Sequence, residues 1–143
     1  MNLGWSLNVW VAAVCLTFST SAARADAPAI DFTGHYELAD TKSDHVFSLD
    51  VTQTGPKAEL SFSASMVDGS GAAPDGEGSG QIDKTLVLRF TFKDSFDNEG
   101  TGTLKRDKDG FHLKLDATKV VEPRPLRFYG DVLLKKTANK PSP

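Results

Sequence analysis

The sequence predicts an all-β domain, an eight-stranded antiparallel up-and-down (meander) barrel, with a β-sandwich as the alternative. Three observations predict it. Apolar and polar residues alternate with a period of two through successive runs. No run after residue 25 has helical periodicity of useful length. Each run is separated from the next by a short segment rich in Gly, Pro, Asp or Asn. Short connections make sequence neighbours pair antiparallel, and closing eight strands on one another removes aggregation-prone edges.

The first 25 residues read as a cleaved secretory signal. Val9–Phe18 is an apolar run of ten, too short to span a bilayer, and Ala23 and Ala25 hold the small-residue positions before a cut at Asp26. The expected product is a bacterial protein, periplasmic or secreted, with one barrel domain at 26–137 and a disordered tail at 138–143. Trp5, Trp10 and the single Cys15 leave with the signal, so thiol catalysis, Cys-based zinc sites and disulfides are excluded from the product.

The strands follow in order. Residues 33–39 place Tyr36 inward and His35 outward; 45–54 place Phe47, Leu49 and Val51 against Ser48, Asp50 and Thr52. Residues 57–67 alternate Leu60, Phe62, Ala64 and Met66 with Glu59, Ser61, Ser63 and Ser65. Strand 76–82 carries Gly78, Gly80 and Ile82 on one face, 86–93 carries Leu86, Leu88, Phe90 and Phe92, and 99–106 carries Gly100, Gly102 and Leu104. Strand 111–119 turns Phe111, Leu113, Leu115 and Ala117 inward and His112, Lys114 and Asp116 outward. The last strand, 126–136, places Phe128 inward and Arg127 outward.

The phrase EGSGQI at 77–82 returns as EGTGTL at 99–104. It has neither the spacing nor the following helix of a phosphate-binding loop, and DSFDNEG lacks the alternating ligands of a calcium loop. Parity gives it a structural use. A turn at 83–85 pairs Gly78 with Phe90, and a loop at 94–98 pairs Phe90 with Gly102, so that large rings fill the space over cross-strand glycines.

At FTGHYEL, residues 32–38, the chain resembles the opening strand of lipocalin-like (calycin) barrels, which begin Gly-x-Trp; Gly34-His35-Tyr36 stands in that place. The resemblance implies a small hydrophobic ligand held in the barrel, and no binding residue is carried over from it. Parity alone points Tyr36, Phe47, Phe62, Phe90, Phe92, Phe111 and Phe128 inward; an eight-stranded barrel is either filled solid by such rings or holds one small ligand, so they are either plain core or the candidate lumen-lining set.

No side-chain constellation points to catalysis, a cofactor or a metal. His35 and His112 face outward with Leu133 expected between their rings, and His45 opens a strand with no serine expected against it. Charge is the remaining signal. Residues 26–100 hold 5 basic and 14 acidic residues, and residues 101–143 hold 10 basic and 5 acidic. In a meander the longer loops share one end, which gathers Asp40, Asp44, Asp68, Asp75, Glu77, Asp94, Asp97, Glu99 and Glu122. The expected function is therefore that of an exported binding protein, not an enzyme, holding a small apolar ligand in or at the mouth of the barrel. The alternative is an interaction module whose acidic mouth, with Asp68, Asp75, Glu77, Asp94, Asp97 and Glu99, engages a cationic protein, such as a secreted or envelope hydrolase that it inhibits. Neither nucleic acid nor stable membrane insertion is expected.

Overall fold

The computed structural model describes residues 30–138. The expected signal at 1–25, and residues 139–143 of the expected tail, lie outside the described residues. Eight strands occur: β1 (Gly34–Leu38), β2 (His45–Thr54), β3 (Lys57–Met66), β4 (Asp75–Ile82), β5 (Val87–Asp94), β6 (Glu99–Asp107), β7 (Gly110–Lys119) and β8 (Gly130–Thr137). They close into one antiparallel barrel in sequence order, with β8 pairing back to β1. The meander expectation holds, and the sandwich alternative is set aside because all eight strands belong to one closed sheet.

Alternation does what it implies. In β3, Ala58, Leu60, Phe62 and Ala64 are buried while Lys57, Glu59, Ser61 and Ser63 are exposed. The same rule buries Phe47, Leu49 and Val51 from β2 and Leu113 and Leu115 from β7, giving one continuous core. At about 25 cal/mol per Å² of apolar surface, this interior is the main favourable contribution to folding.

Three local expectations are corrected. The last strand starts at Gly130, not at 126, because Arg124–Phe128 forms a 3-10 helix. Pro123 and Pro125 have no N–H to give a ladder, so a segment with strand-like parity cannot pair there. Phe128 is therefore delivered to the interior from a helix rather than from a strand.

The β4–β5 turn is two residues longer than expected. Ile82 pairs with Leu88, and the Asp83 carboxylate accepts from Thr85 N (2.8 Å), Thr85 Oγ1 (2.5 Å), Val87 N (3.2 Å) and Arg89 Nε (2.7 Å). Thr85 and Arg89 hold that carboxyl well below the usual carboxylate range. This Asp-centred turn slides the register by two, so Phe90 opposes Gly80 rather than Gly78, and the rows are Gly80–Phe90–Gly102 and Gly78–Phe92–Gly100. Leu86, expected inward, sits in the turn, exposed and with φ 60°.

The third correction concerns the histidines. Leu133 lies opposite His112, but His35 lies opposite Thr137, so Leu133 does not separate the two rings.

Candidate functional site

Of the seven inward rings, six each meet another of the set, and Phe128 meets His45. Phe47 stacks on Phe62 at 5.6 Å, Phe62 meets Phe92 edge-on at 5.4 Å, and Tyr129 closes the group at 5.4 Å from Phe92. Nearer the tight-turn end, Tyr36 and Phe111 pack edge-on at 4.8 Å, and Phe32 lies 6.2 Å from Phe111. A void wide enough for a ligand would leave open surface on the rings around it. Tyr36, Phe47, Phe62, Phe90, Phe92 and Phe128 keep between 0% and 4% of theirs, and only Phe111 is half-buried. The glycine rows complete the filling: a Cβ on Gly76, Gly100 or Gly102 would strike the ring of Phe62, Phe92 or Phe90 respectively.

Both ends are closed as well. At the tight-turn end, Phe32 is fully buried, and Gln53 accepts from Phe32 N at 2.8 Å and donates to Ile30 O at 3.1 Å. At the long-loop end, residues 120–129 cross the opening, with Pro125 and Phe128 buried and Phe128 edge-on to His45 at 5.8 Å. One hairpin loop holds this strap. Asn98 Oδ1 accepts from Val121 N (2.7 Å) and Glu122 N (2.9 Å), and Asn98 Nδ2 donates to Glu122 O (2.9 Å) and to Asp94 Oδ2 (2.8 Å). Asp94 Oδ1 accepts from Phe96 N and Asn98 N, both at 2.9 Å, and Tyr129 donates its hydroxyl to Asp94 Oδ2.

Asp94 is therefore no mouth acid: it is buried, with every bond spent on the loop and the strap. Parity near a strand end does not reveal this. The signal was the run Asp94 to Asn98, whose side chains are short enough to bond nearby backbone. Two further expected mouth acids are neutralised in place. Lys93 pairs with Asp97 at 2.7 Å and Lys119 with Glu99 at 2.9 Å, and each lysine lowers its partner's pKa. Glu122 pairs with Arg124 at 2.9 Å.

What remains negative is one side of the rim. Asp40, Asp44, Asp68, Asp75 and Glu77 are exposed and make no ion pair with Lys or Arg among the described residues. Asp40, Asp44, Asp68 and Asp75 lie in or beside the 39–44 and 67–74 loops, which flank a groove of about 660 Å³ on the outer face of β1 to β4. Val46 and Val67 line it, 53% and 66% exposed, between Glu37 and Asp40 on one side and Asp75 on the other. Below them Ser48 and Ser63 bond at 2.8 Å. A second hollow, of about 850 Å³, lies outside β2 to β6 over Gly78 and Gly100; Glu77, Lys93, Thr91 and Thr101 give it both signs of charge and no exposed large apolar side chain.

Each of the three histidines lies beside a carboxylate. His35 Nδ1 lies 2.7 Å from Asp50, and His112 Nδ1 lies 3.3 Å from Asp131. A serine does lie against His45, contrary to expectation: Ser43 Oγ is 2.9 Å from Nδ1. Asp44 approaches the same nitrogen at 3.0 Å, whereas a nucleophile relay needs serine and carboxylate on opposite nitrogens. Among the described residues, no three His, Cys, Asp or Glu side chains converge as metal ligands.

Comparisons with protein-family models, curated proteins and solved structures return no match to this chain.

The two tyrosines carry a test of the closed interior. Burial, with Asp31 adding to it, pushes the Tyr36 phenol up to about 12, and burial followed by Asp94 raises that of Tyr129. Below the ordinary value of 10.0 both the folded and unfolded phenols are protonated, and their share of stability is fully present. As pH rises from there toward 12, the unfolded chain releases protons that the folded chain retains, so stability falls. Urea midpoints should drop across that interval, and Tyr36→Phe or Tyr129→Phe should flatten the drop. Midpoints that stay level from neutral pH through that interval would contradict the buried placement.

Proposed function

We propose that the protein is an exported binding module rather than an enzyme. In this reading it engages a cationic segment of a partner protein along the groove between the 39–44 and 67–74 loops. The observation that carries it is the solid interior. A small apolar ligand inside would have to part Phe62 and Phe92 from each other and from Tyr129, and to pass the strap at 120–129. The closed meander supports the lipocalin-like likeness in architecture, while the packed rings argue against the internal ligand that likeness implies. The groove offers what the interior lacks: exposed Val46 and Val67 for an apolar contact, flanked by Glu37, Asp40 and Asp75, which pair with no Lys or Arg among the described residues.

Because the barrel has no free edge, a partner strand cannot extend the sheet, and recognition falls to side chains. A one-signed rim mainly raises the association rate. The acids to reverse are Glu37 and Asp75, since Asp40 and Asp68 also bond the backbone of their own turns. The partner is found by native mass spectrometry of the protein recovered from its producing cell. Against that partner, Glu37→Lys with Asp75→Lys should slow association several-fold at low salt. The effect should shrink as the screening length falls to about 8 Å at physiological salt. An on-rate unchanged at low salt would rule the groove out.

A further inference from the structure

The opposite end of the barrel carries a different pattern. Three neighbouring turns meet there: Gly55–Pro56 between β2 and β3, Asp83–Leu86 between β4 and β5, and Lys108–Asp109 between β6 and β7. The first two are tied by Ile82 N donating to Pro56 O at 2.8 Å, and Lys105 lies opposite Val87 in the ladder. Lys57, Lys84, Lys105, Arg106 and Lys108 stand on and beside these turns, all exposed and none in an ion pair among the described residues. Of the acids there, Asp83 is committed to its turn and to Arg89, and Asp107 lies near His112. Including Arg89, six bases face Asp83, Asp107 and Asp109, a local excess of three positive charges.

Among these bases stands Leu86. It is 46% exposed and sits at φ 60°, a backbone conformation that costs a leucine and suits Gly or Asn. The Asp83 bonds fix the turn in which it sits, so its exposure is built in. Solubility explains lysines on turns, but it does not explain an exposed leucine held in an unfavourable conformation at their centre. An apolar tip on the middle of three turns that carry unpaired cations suits the boundary between headgroups and acyl chains of an anionic bilayer. A soluble polyanion would use the lysines and have no use for the leucine.

We propose that this end docks peripherally on an anionic lipid bilayer, with Leu86 entering the headgroup boundary and Lys57, Lys84, Lys105 and Arg106 facing the lipid phosphates. The acidic rim, at the other end of the barrel, then points away from the membrane toward its partner. The two ends are independent, so this proposal stands or falls apart from the groove.

The experiment is co-sedimentation of the protein, in the form its producing cell yields, with phosphatidylcholine vesicles with and without phosphatidylglycerol. Binding is expected only with phosphatidylglycerol, and it should be released by salt. Lys57→Glu with Lys84→Glu should lower the partition by at least about tenfold. Leu86→Asn and Leu86→Gly should each lower it by about tenfold, while the melting temperature stays level or rises because the turn is relieved. That opposition separates a docking leucine from a structural one. Binding retained by either Leu86 variant overturns the proposal, since it would show attraction to anionic surfaces in general or attachment through another segment. Absence of binding to phosphatidylglycerol vesicles, or binding as strong to phosphatidylcholine alone, also overturns it.

Discussion

Gly102→Val should destabilise the barrel by about 1–3 kcal/mol, and Phe90→Ala by about 3–5 kcal/mol, yet the two together should lose less than their sum. Gly102 lies opposite Phe90 in the β5–β6 ladder, and a Cβ on Gly102 would strike the far edge of the Phe90 ring. That ring is 4% exposed and has no open space to retreat into. Removing it makes room for the valine, which then fills part of the void. Gly80, on the other side of Phe90, is the control. A Cβ there meets Arg89 O, and Phe90 Cα at 2.6 Å, both backbone atoms that Phe90→Ala leaves in place. Gly80→Ala should therefore stay costly beside Phe90→Ala. Urea melts of the five variants decide the matter: additive losses for Gly102 and Phe90 would show that they do not meet, and rescue of Gly80→Ala would show that its constraint is not backbone.

This contrast also marks what could be read from the sequence. Which face each residue takes is a matter of parity, and parity needs only the sequence; hence the inward glycines and rings stand where expected. Phe90 opposes Gly102 as expected because the 94–98 loop has the expected length, with Asp94 N bonded to Asn98 O at 2.9 Å. Phe90 opposite Gly78 failed because the length of a turn depends on hydrogen bonds that alternation does not encode, here the four that Asp83 accepts. A register error of two preserves parity, so it moves partners without moving faces. The acids failed for a related reason. Loop parity places Asp94, Asp97 and Glu99 at the right end, but it does not say which carboxylate turns inward or which finds a lysine. Val46 has the outward parity of β2, but the groove it forms with Val67 depends on the loops around it.

Asp94→Ala should cost on the order of 3–5 kcal/mol and should free the strap before it loosens the sheet. The carboxylate takes four donors: Phe96 N, Asn98 N, Asn98 Nδ2 and the Tyr129 hydroxyl. Alanine leaves them unsatisfied around a residue, Asn98, that is fully buried. Tyr129→Phe removes one charge-assisted bond and leaves three, so it should cost less, about 1.5–3 kcal/mol. The cycle between the two should show coupling, because once Asp94 is gone the Tyr129 hydroxyl has no carboxylate to lose. The local signature is sharper than the global one. Val121 N and Glu122 N both donate to Asn98 Oδ1, and the strap makes no ladder of its own. Amide exchange at Val121 and Glu122 should therefore accelerate in either variant, while Thr101 to Leu104, inside the β5–β6–β7 ladders, keep their protection. Exchange that rises equally at both places would mean that Asp94 supports the barrel as a whole rather than the strap. If the strap alone is freed, the rings of Phe62 and Phe92, which Tyr129 covers, become the part of the interior that a small apolar molecule could reach. The same variants would then bind a hydrophobic dye that the unaltered protein excludes.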